Sequence, residues 1–181
     1  MLFETLVQRG GFMLNRCSTG KYIWGLRRKI ERCHSCLLKK IYSWRYRRIL
    51  VSLGSYIPLS AEFCTMPCFP HGVSGIMISQ GARIGKGCTI LHQVTIGSNT
   101  FEDSKTYGAP TIGNNVYIGC GAKIIGGVAI GDNVRIGANC VVATDIPDNC
   151  TVVIEKPRII KKGMERDNSY KNYHPTCSNG H

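Results

Sequence analysis

The sequence predicts an all-β fold, a parallel β-helix, that follows a short basic α-helical extension. The main observation is an aliphatic residue at every sixth position, a period that neither an α-helix nor a simple alternating strand produces. Glycine follows the isoleucine in six of these units, and the residue two before it is small or β-branched in most. The aliphatic positions of this hexad repeat are Ile78, Ile84, Ile90, Ile96, Ile112, Ile118, Ile124, Ile130, Ile136 and Val142.

A coil made of three short strands explains the period of six. Each flat side of the coil contributes one inward aliphatic residue that stacks on its counterpart in the next coil, and glycine lets the chain turn at the corners. We expect Cys88 and Cys140, which occupy small positions of the repeat, to point inward as compact apolar fillers. Because coils bury their faces only against neighbours, the segments before Ile78 and after Val142 are expected to cap the column.

Spacing and composition divide the chain into three parts. Residues 1–53 form the basic helical extension, residues 54–160 the β-helix, and residues 161–181 a polar, aperiodic tail that we expect to be mobile. Within the β-helix, the step from Ile96 to the next hexad isoleucine is sixteen residues instead of six. Residues 98–109 must therefore leave the coil as a polar loop, and loops on a rigid scaffold often carry function.

The net charge of +12 is concentrated in the extension, where the first fifty residues carry twelve Lys or Arg against two Glu. Apolar residues at helical spacing predict one stripe on a helix or helix pair. Two interpretations stay open: the stripe caps the first coil or a neighbouring subunit, or the basic face contacts an anionic membrane. Nucleic acid is not an expected partner, since stacking aromatics and a known binding motif are absent. The stripe comprises Ile23, Ile30, Leu37, Ile41 and Trp44.

We expect a cytoplasmic protein, because residues 1–11 lack the pattern of a secretory signal. No stretch approaches the roughly 20 apolar residues of a membrane span. The ten cysteines are then expected to be free thiols. Cys33 and Cys36 would form half of a zinc site only if Cys64 and Cys68, at loose spacing, supplied the other half. We therefore predict no metal requirement.

One histidine lies where the irregular lead-in meets the first full coil. His71 is followed by a glycine-containing segment that leads into Ile78. A histidine on a rigid scaffold, with glycines that let a substrate approach, suits a general base that takes a proton from a hydroxyl group. The alternative is a structural surface histidine.

The hexads, His71 and the run 118–126 together resemble the hexapeptide-repeat acyltransferases, and within them the serine acetyltransferase-like branch. The resemblance extends from about residue 57 to residue 160. It implies a left-handed β-helix, a homotrimer, acetyl-CoA as the acetyl donor and active sites between adjacent subunits. His71 matches the family's catalytic base. The residues that match acetyl-CoA-binding positions are Gly121, Ala122, Gly137, Ala138, Lys156 and Arg158.

The departures from that branch concern the acceptor. Pro70 replaces the aspartate that precedes the base, residues 107–110 replace an Asp-Arg-His-Pro run, and Gln80 replaces an acidic residue. Without the arginine, histidine and acid, the groups that bind an amino acid's carboxylate and ammonium are missing. A neutral saccharide needs none of them, and the chain is similar in this respect to short surface-polysaccharide O-acetyltransferases. The predicted acceptor contacts are Gln80, His92, Gln93, Ser98, Asn99 and Tyr107.

The sequence therefore predicts an acetyl-CoA-dependent O-acetyltransferase that acts on a hydroxyl of a saccharide, either a surface polysaccharide or its precursor. The expected location is the cytoplasm, and peripheral contact with the inner membrane face stays open. In this hypothesis His71 deprotonates the hydroxyl, and the amide of a nearby glycine stabilises the oxyanion. His92 is the rival base. The first alternative is a serine O-acetyltransferase. A zinc protein of the γ-carbonic anhydrase type, which needs three converging histidines, and a non-catalytic β-helix scaffold are further alternatives.

Overall fold

The structure is a computed structural model that describes residues 16–161 and residue 163. The first fifteen residues of the predicted extension lie outside the described residues. The prediction of a mobile tail also falls, apart from residues 161 and 163, outside the described part.

Two α-helices precede a series of very short strands. Helix α1 spans Arg16–Arg32 and helix α2 spans Cys36–Ser52. The strands are β1 (Glu62–Phe63), β2 (Met77–Ile78), β3 (Arg83–Ile84), β4 (Thr89–Ile90), β5 (Thr95–Gly97), β6 (Thr111–Ile112), β7 (Tyr117–Ile118), β8 (Lys123–Ile125), β9 (Ala129–Ile130), β10 (Arg135–Ile136), β11 (Val141–Val142) and β12 (Thr151–Val152).

The strands form three parallel sheets, and each coil gives one strand to each sheet. Sheet 1 contains β2, β5, β8 and β11, sheet 2 contains β1, β3, β6 and β9, and sheet 3 contains β4, β7, β10 and β12. This arrangement confirms the predicted parallel β-helix, and together with the hexapeptide repeat it fits a left-handed one.

Two of the edges between these sheets carry residues added to the regular coil. The histidine edge joins sheet 3 to sheet 1 and comprises residues 69–76, 91–94, 119–122 and 137–140. The loop edge joins sheet 1 to sheet 2 and comprises residues 79–82, 98–110, 126–128 and 143–145.

The core is the predicted column of stacked aliphatic side chains. Strands pair in register, so that Ile90 lies beside Ile118 and Ile118 beside Ile136. Every hexad aliphatic residue is at most 3% exposed. Cys88 and Cys140 are buried in the same core, as predicted. Burial raises the pKa of the Cys88 thiol, which keeps it protonated and unreactive at neutral pH.

The corners repeat one backbone conformation. Two residues before nine of the strands, the chain adopts a positive φ, which L-residues other than Asn and Asp rarely tolerate. Glycine or asparagine fills eight of these nine positions, and Gln93, with φ of 60°, fills the other. Asn133 donates to Asn149 (3.0 Å) and accepts from Asn115 (2.9 Å), which forms an asparagine ladder along one corner.

The strand register shows where residues are added to the coil. Met77 pairs with Thr95, eighteen residues later, which is the length of one regular coil. Cys68 pairs with Thr89, twenty-one residues later, so three extra residues lie between Cys68 and Met77. Thr95 pairs with Lys123, twenty-eight residues later, and these ten extra residues form a loop between β5 and β6. The first addition lies on the histidine edge and the second on the loop edge.

The helical hairpin packs on the lead-in to the first coil through Arg27, which is 5% exposed. Its guanidinium group donates to the carbonyl oxygens of Pro58 (2.9 Å), Leu59 (2.9 Å) and Ala61 (2.7 Å). It also pairs with Glu31 at 2.9 Å. Charge-assisted bonds of this kind are stronger than bonds between neutral groups, and here they tie α1 to the chain that enters the β-helix.

The stripe predicted from the sequence is divided between two different faces. Ile23 and Ile30 of α1 are buried, whereas Leu37, Ile41 and Trp44 of α2 are exposed. The chain leaves helical conformation at residues 33–35, and Ser35 then caps a new helix by accepting from the amide of Leu38. The break changes the direction of the helix axis, so a spacing counted across it does not define one face.

Neither of the two described helices has the length and apolar content of a membrane span. Eight of the described cysteines are free thiols, namely Cys33, Cys36, Cys64, Cys68, Cys88, Cys120, Cys140 and Cys150.

We predict that Arg27→Met lowers the free energy of unfolding by about 2–4 kcal/mol, because it leaves three carbonyl oxygens without their donor. Urea denaturation followed by circular dichroism measures the change. Arg28→Met is the matched control, since Arg28 is the exposed neighbour on the same helix, and it should change stability by less than about 0.5 kcal/mol. Equal losses in the two variants would contradict the assigned role of Arg27.

Candidate active site

Two histidines meet on the histidine edge. The Nδ1 atoms of His71 and His92 are 3.0 Å apart, and the ring centroids are 5.0 Å apart. The two residues are distant in sequence, but their segments occupy the same edge in successive coils, next to the Cys68–Thr89 bridge. The fold therefore brings together the predicted base and its predicted rival.

The three-residue addition presents His71 on a turn with buried neighbours. Gly72, at φ of 74°, donates its amide to the carbonyl oxygen of Phe69 (3.0 Å), which closes the turn around His71. Phe69 and Val73, two residues to either side, are both buried, whereas His71 is exposed. Ser55 donates its hydroxyl to the carbonyl oxygen of Val73 and fixes the turn from below. A rigid backbone thus carries a solvent-facing imidazole.

His92 occupies the same corner one coil later. Its carbonyl oxygen accepts from the amide of Gly121 (3.1 Å), and the amide of Gln93 donates to the carbonyl oxygen of Ser74 (3.0 Å). Gln93 is the residue whose left-handed conformation departs from the Gly/Asn pattern of the other corners. Strained conformations of this kind cluster at functional sites.

The contact between the two Nδ1 atoms requires that one of them carries a proton and the other does not. Two Nδ1 atoms at this distance require one donor and one acceptor. If His71 donates, its Nε2 atom is unprotonated and free to accept a proton from a substrate. After that transfer, the Nδ1–H of His71 still donates to neutral His92. No acidic side chain of the described residues hydrogen-bonds to either ring. The arrangement lets His92 orient the His71 ring, as a carboxylate does in many catalytic pairs.

The prediction of a glycine amide as the oxyanion donor is wrong for the described glycines closest to His71. The amides of Gly72, Gly75 and Gly121 already donate to the carbonyl oxygens of Phe69, Leu53 and His92. The turn and the neighbouring coils use these donors to hold the backbone. Another group must stabilise negative charge on a reacting oxygen.

The predicted acetyl-CoA residues continue the same edge below the histidines. Gly121 has φ of 68°, and a side chain there would collide with the Oδ1 atom of Asn139. The methyl group of Ala122 lies in the core, so only its backbone faces the edge, whereas Ala138 is exposed. With Gly137, these residues leave a narrow surface of backbone and small side chains.

The two predicted cations lie beyond the last strand. Lys156 and Arg158 belong to the exposed segment that leaves β12, and β12 pairs with β10 next to Gly137. Among the described acidic side chains, none forms an ion pair with either of them. Their charges are thus available to an anionic ligand.

A single protomer does not bring Gln80 and Tyr107 to the histidines. Both lie on the loop edge, which sheet 1 separates from the histidine edge. Gln80 donates to the hydroxyl of Tyr56 (3.3 Å), and the loop that contains Tyr107 packs on Gly127, whose amide donates to the carbonyl oxygen of Thr106 (2.8 Å). Tyr107 itself is 56% exposed. These residues reach a histidine only if a second copy places its loop edge there.

One concave surface was not anticipated from the sequence. A groove of about 470 Å³ lies on the outer face of sheet 3. The signal in the sequence was the asparagine that recurs two residues before Tyr117 and Arg135. The residues that line the groove are Gly87, Thr89, Asn115, Val116, Tyr117, Asn133 and Arg135.

Within the described ranges, no cluster of three or more His, Cys, Asp or Glu side chains is arranged to hold a metal ion.

Comparison with known proteins finds similarity to a hexapeptide-repeat family and to serine acetyltransferases. Residues 109–144 match the family described as bacterial transferase hexapeptide (six repeats). The chain is 44% identical over 96 residues to serine acetyltransferase of Synechococcus elongatus, which covers 53% of this chain and 38% of that protein. It is 44% identical over 92 residues to serine acetyltransferase of Helicobacter pylori, and the match covers 51% of this chain and 52% of that protein.

Solved structures of serine acetyltransferases are similar in fold. Isoform 3 from Entamoeba histolytica, in complex with cysteine, has a TM-score of 0.63 and 29% identity over 80% of this chain and 51% of that one. The Neisseria gonorrhoeae enzyme, in complex with serine, has a TM-score of 0.62 and 30% identity, and the match covers 77% of this chain and 56% of that one. The chain spans about half the length of the relatives that it matches, or less.

If His71 is the general base that the sequence predicts, we expect His71→Ala to lower the turnover of acetyl-CoA by roughly 10²-fold or more. His92→Phe keeps a ring at position 92 but removes the Nδ1 partner, so it should lower kcat while the KM for acetyl-CoA stays the same. Thiol release measured by a colorimetric assay gives both constants.

The exposed His34, in the turn between the helices, supplies the control variant His34→Ala, which should leave turnover unchanged. Wild-type turnover in His71→Ala would exclude His71 as the base. A changed KM with an unchanged kcat in His92→Phe would contradict the orienting role of His92.

Proposed function

We propose that this chain is an acetyl-CoA-dependent O-acetyltransferase in which His71 is the general base. The observation that carries the proposal is the 3.0 Å contact between the Nδ1 atoms of His71 and His92. It lies on the same edge as the surface formed around Gly121 and Ala138. A base with a free Nε2 atom and a donor-binding surface are then next to each other on one rigid scaffold.

The reaction we propose is a direct transfer. The Nε2 atom of His71 takes the proton of the acceptor hydroxyl, and the oxygen attacks the thioester carbonyl carbon of acetyl-CoA. When the tetrahedral intermediate collapses, the C–S bond breaks and the CoA sulfur leaves with the proton that His71 carries. The products are an acetyl ester and free CoA, and His71 returns to its neutral form. The mechanism needs neither a covalent acyl-enzyme nor a metal ion.

Acetyl-CoA is proposed to lie along the histidine edge. Gly121, Gly137 and Ala138 would let its pantetheine arm approach the backbone closely. Lys156 and Arg158, with no acidic partner among the described residues, would bind its phosphate groups. A thioester placed in this way points toward His71.

Completion of the site is proposed to need a second subunit. Gln80 and Tyr107 lie on the loop edge, and a homotrimer in which the loop edge of one copy faces the histidine edge of the next would bring them to His71. The neighbouring copy could then also provide the donor that stabilises the oxyanion, since the nearby glycine amides are already used.

For the acceptor, the comparisons favour serine over the saccharide that the sequence analysis placed first. The relatives are named for serine, and one solved neighbour was crystallised with serine. A specific observation retains a saccharide as the second candidate. The loop ends in Tyr-Gly-Ala-Pro at residues 107–110 and Gln80 is neutral, so fixed charges for a carboxylate and an ammonium group are absent from these positions.

The cytoplasmic location of the protein remains a prediction.

The acceptor is tested by thiol release from acetyl-CoA with L-serine, nucleotide sugars and oligosaccharides offered separately. Turnover with serine, absent in His71→Ala, is the result that the comparisons predict. Turnover with a glycan alone would reverse the order of the two candidates. If none of these hydroxyl compounds supports His71-dependent release, the proposed function is wrong.

The position of acetyl-CoA is tested by Ala138→Trp. We expect this bulky residue on the histidine edge to raise the KM for acetyl-CoA roughly tenfold, which corresponds to about 1.4 kcal/mol of lost binding. Ala129→Trp is the control, because Ala129 is also exposed but lies on the outer face of sheet 2, on neither of these edges. An equal rise in the KM for both variants, or a rise for the Ala129 variant alone, would contradict this position of acetyl-CoA.

A further inference from the structure

Helix α2 has an exposed apolar stripe that the fold does not use. Leu37, Ile41, Trp44 and Val51 follow one another at helical spacing, which places them on one face. Leu37, Trp44 and Val51 are 69%, 59% and 70% exposed. Large apolar side chains that are exposed together on one helix face mark an interaction site.

The opposite face of α2 holds the helix in place. Tyr46 and Leu50 are buried, and the Tyr46 hydroxyl donates to the carbonyl oxygen of Ile57 (2.8 Å). Burial raises the pKa of Tyr46, so this hydroxyl keeps its proton. The outer stripe is therefore presented by a helix that is already anchored, and it does not need a partner in order to fold.

Cations surround the stripe. Helix α2 carries five Lys or Arg residues and no Asp or Glu. Lys40 and Arg47 flank the stripe on one side and Arg45 on the other, while Arg48 lies within it, 5.1 Å from the centre of the Trp44 ring. A concave surface of about 360 Å³ beside Trp44 is lined by Cys36, Lys39, Lys40, Ser43, Trp44 and Arg47. Apolar and cationic groups are thus combined on one surface.

We infer that this face of α2 docks on an anionic lipid membrane. The helix is convex, and its apolar residues would enter the boundary between headgroups and acyl chains while the long Lys and Arg side chains reach outward to lipid phosphates. Tryptophan prefers this interfacial position. The cation-lined concavity beside Trp44 suits a phosphate headgroup. The absence of acidic residues on α2 complements the negative charge of the membrane.

An anionic membrane accounts for both the apolar stripe and the cations of α2, whereas nucleic acid or a second copy of the chain accounts for only part of them. Nucleic acid would use the cations but not Leu37, Ile41 or Val51, since its backbone is recognised by charge. A second copy of the chain would place the cations of one α2 against those of another, or against a coil. Docking of α2 does not depend on which hydroxyl compound accepts the acetyl group, so it can fail or hold independently of the proposed function.

Trp44 supplies the reporter for the test. In the full-length chain, Trp24→Phe leaves Trp44 as the one tryptophan of the two in the sequence. Vesicles of phosphatidylcholine and phosphatidylglycerol in equal amounts are compared with vesicles of phosphatidylcholine alone. We expect the Trp44 emission to shift to the blue, and brominated lipid to quench it, with the anionic vesicles only. Co-sedimentation of the unsubstituted chain provides a second measurement that does not rely on Trp24→Phe.

Two variants and a control separate the contributions of the stripe and of the charges. Ile41→Glu and the pair Lys40→Glu with Arg47→Glu should each weaken vesicle binding roughly tenfold or more. Arg83→Glu with Lys86→Glu changes the net charge by the same amount on the coils and should leave binding within about twofold.

Equal binding to both kinds of vesicle, or no binding, would overturn the inference. It would also be overturned if Trp44 emission were already blue without lipid, or if Ile41→Glu changed the oligomeric state in sedimentation velocity, because the stripe would then be covered by protein.

Discussion

The register of the stacked coils is the constraint on which the rest of the structure depends. Each hexad isoleucine must meet its counterpart in the next coil, as Ile90 meets Ile118, and each short strand must find its parallel neighbour. Extra residues can therefore leave the coil only at an edge between sheets. The chain adds three residues between Cys68 and Met77 and ten between β5 and β6. The first addition presents His71, and the second forms the exposed loop.

Rigid coils also explain how two distant histidines form a pair. His71 and His92 occupy one edge in successive coils, and neither can move far, because buried residues flank the turn of His71 and the amide of Gly121 donates to the carbonyl oxygen of His92. The same edge continues into the small residues at which we place acetyl-CoA. In our proposal the scaffold thus orders the base, the thioester and the phosphates along one edge, and the loop edge determines acceptor specificity.

The sequence was sufficient for the features that repeat. The six-residue period predicted the column, the inward positions of Cys88 and Cys140, and the place of the loop. It could not show that His92 contacts His71, because the three extra residues change which coil positions face each other. The periodicity placed the whole apolar stripe on one face, and this was incorrect. Ser35 caps a new helix, and a cap is a local feature that the spacing of apolar residues does not report. The amide of Gly72 is engaged within its own turn by Phe69, and that of Gly75 by the carbonyl oxygen of Leu53 at the end of α2; the six-residue period reports neither bond.

The most direct test of the account is a crystal structure of the protein with CoA bound. We expect the sulfur atom to lie on the histidine edge, within about 3–4 Å of the Nε2 atom of His71, with the phosphates near Lys156 and Arg158. The contact between His71 and His92 should persist, and the loop edge of a second subunit should close the site. CoA bound in the groove on sheet 3, or with its sulfur remote from His71, would contradict the account.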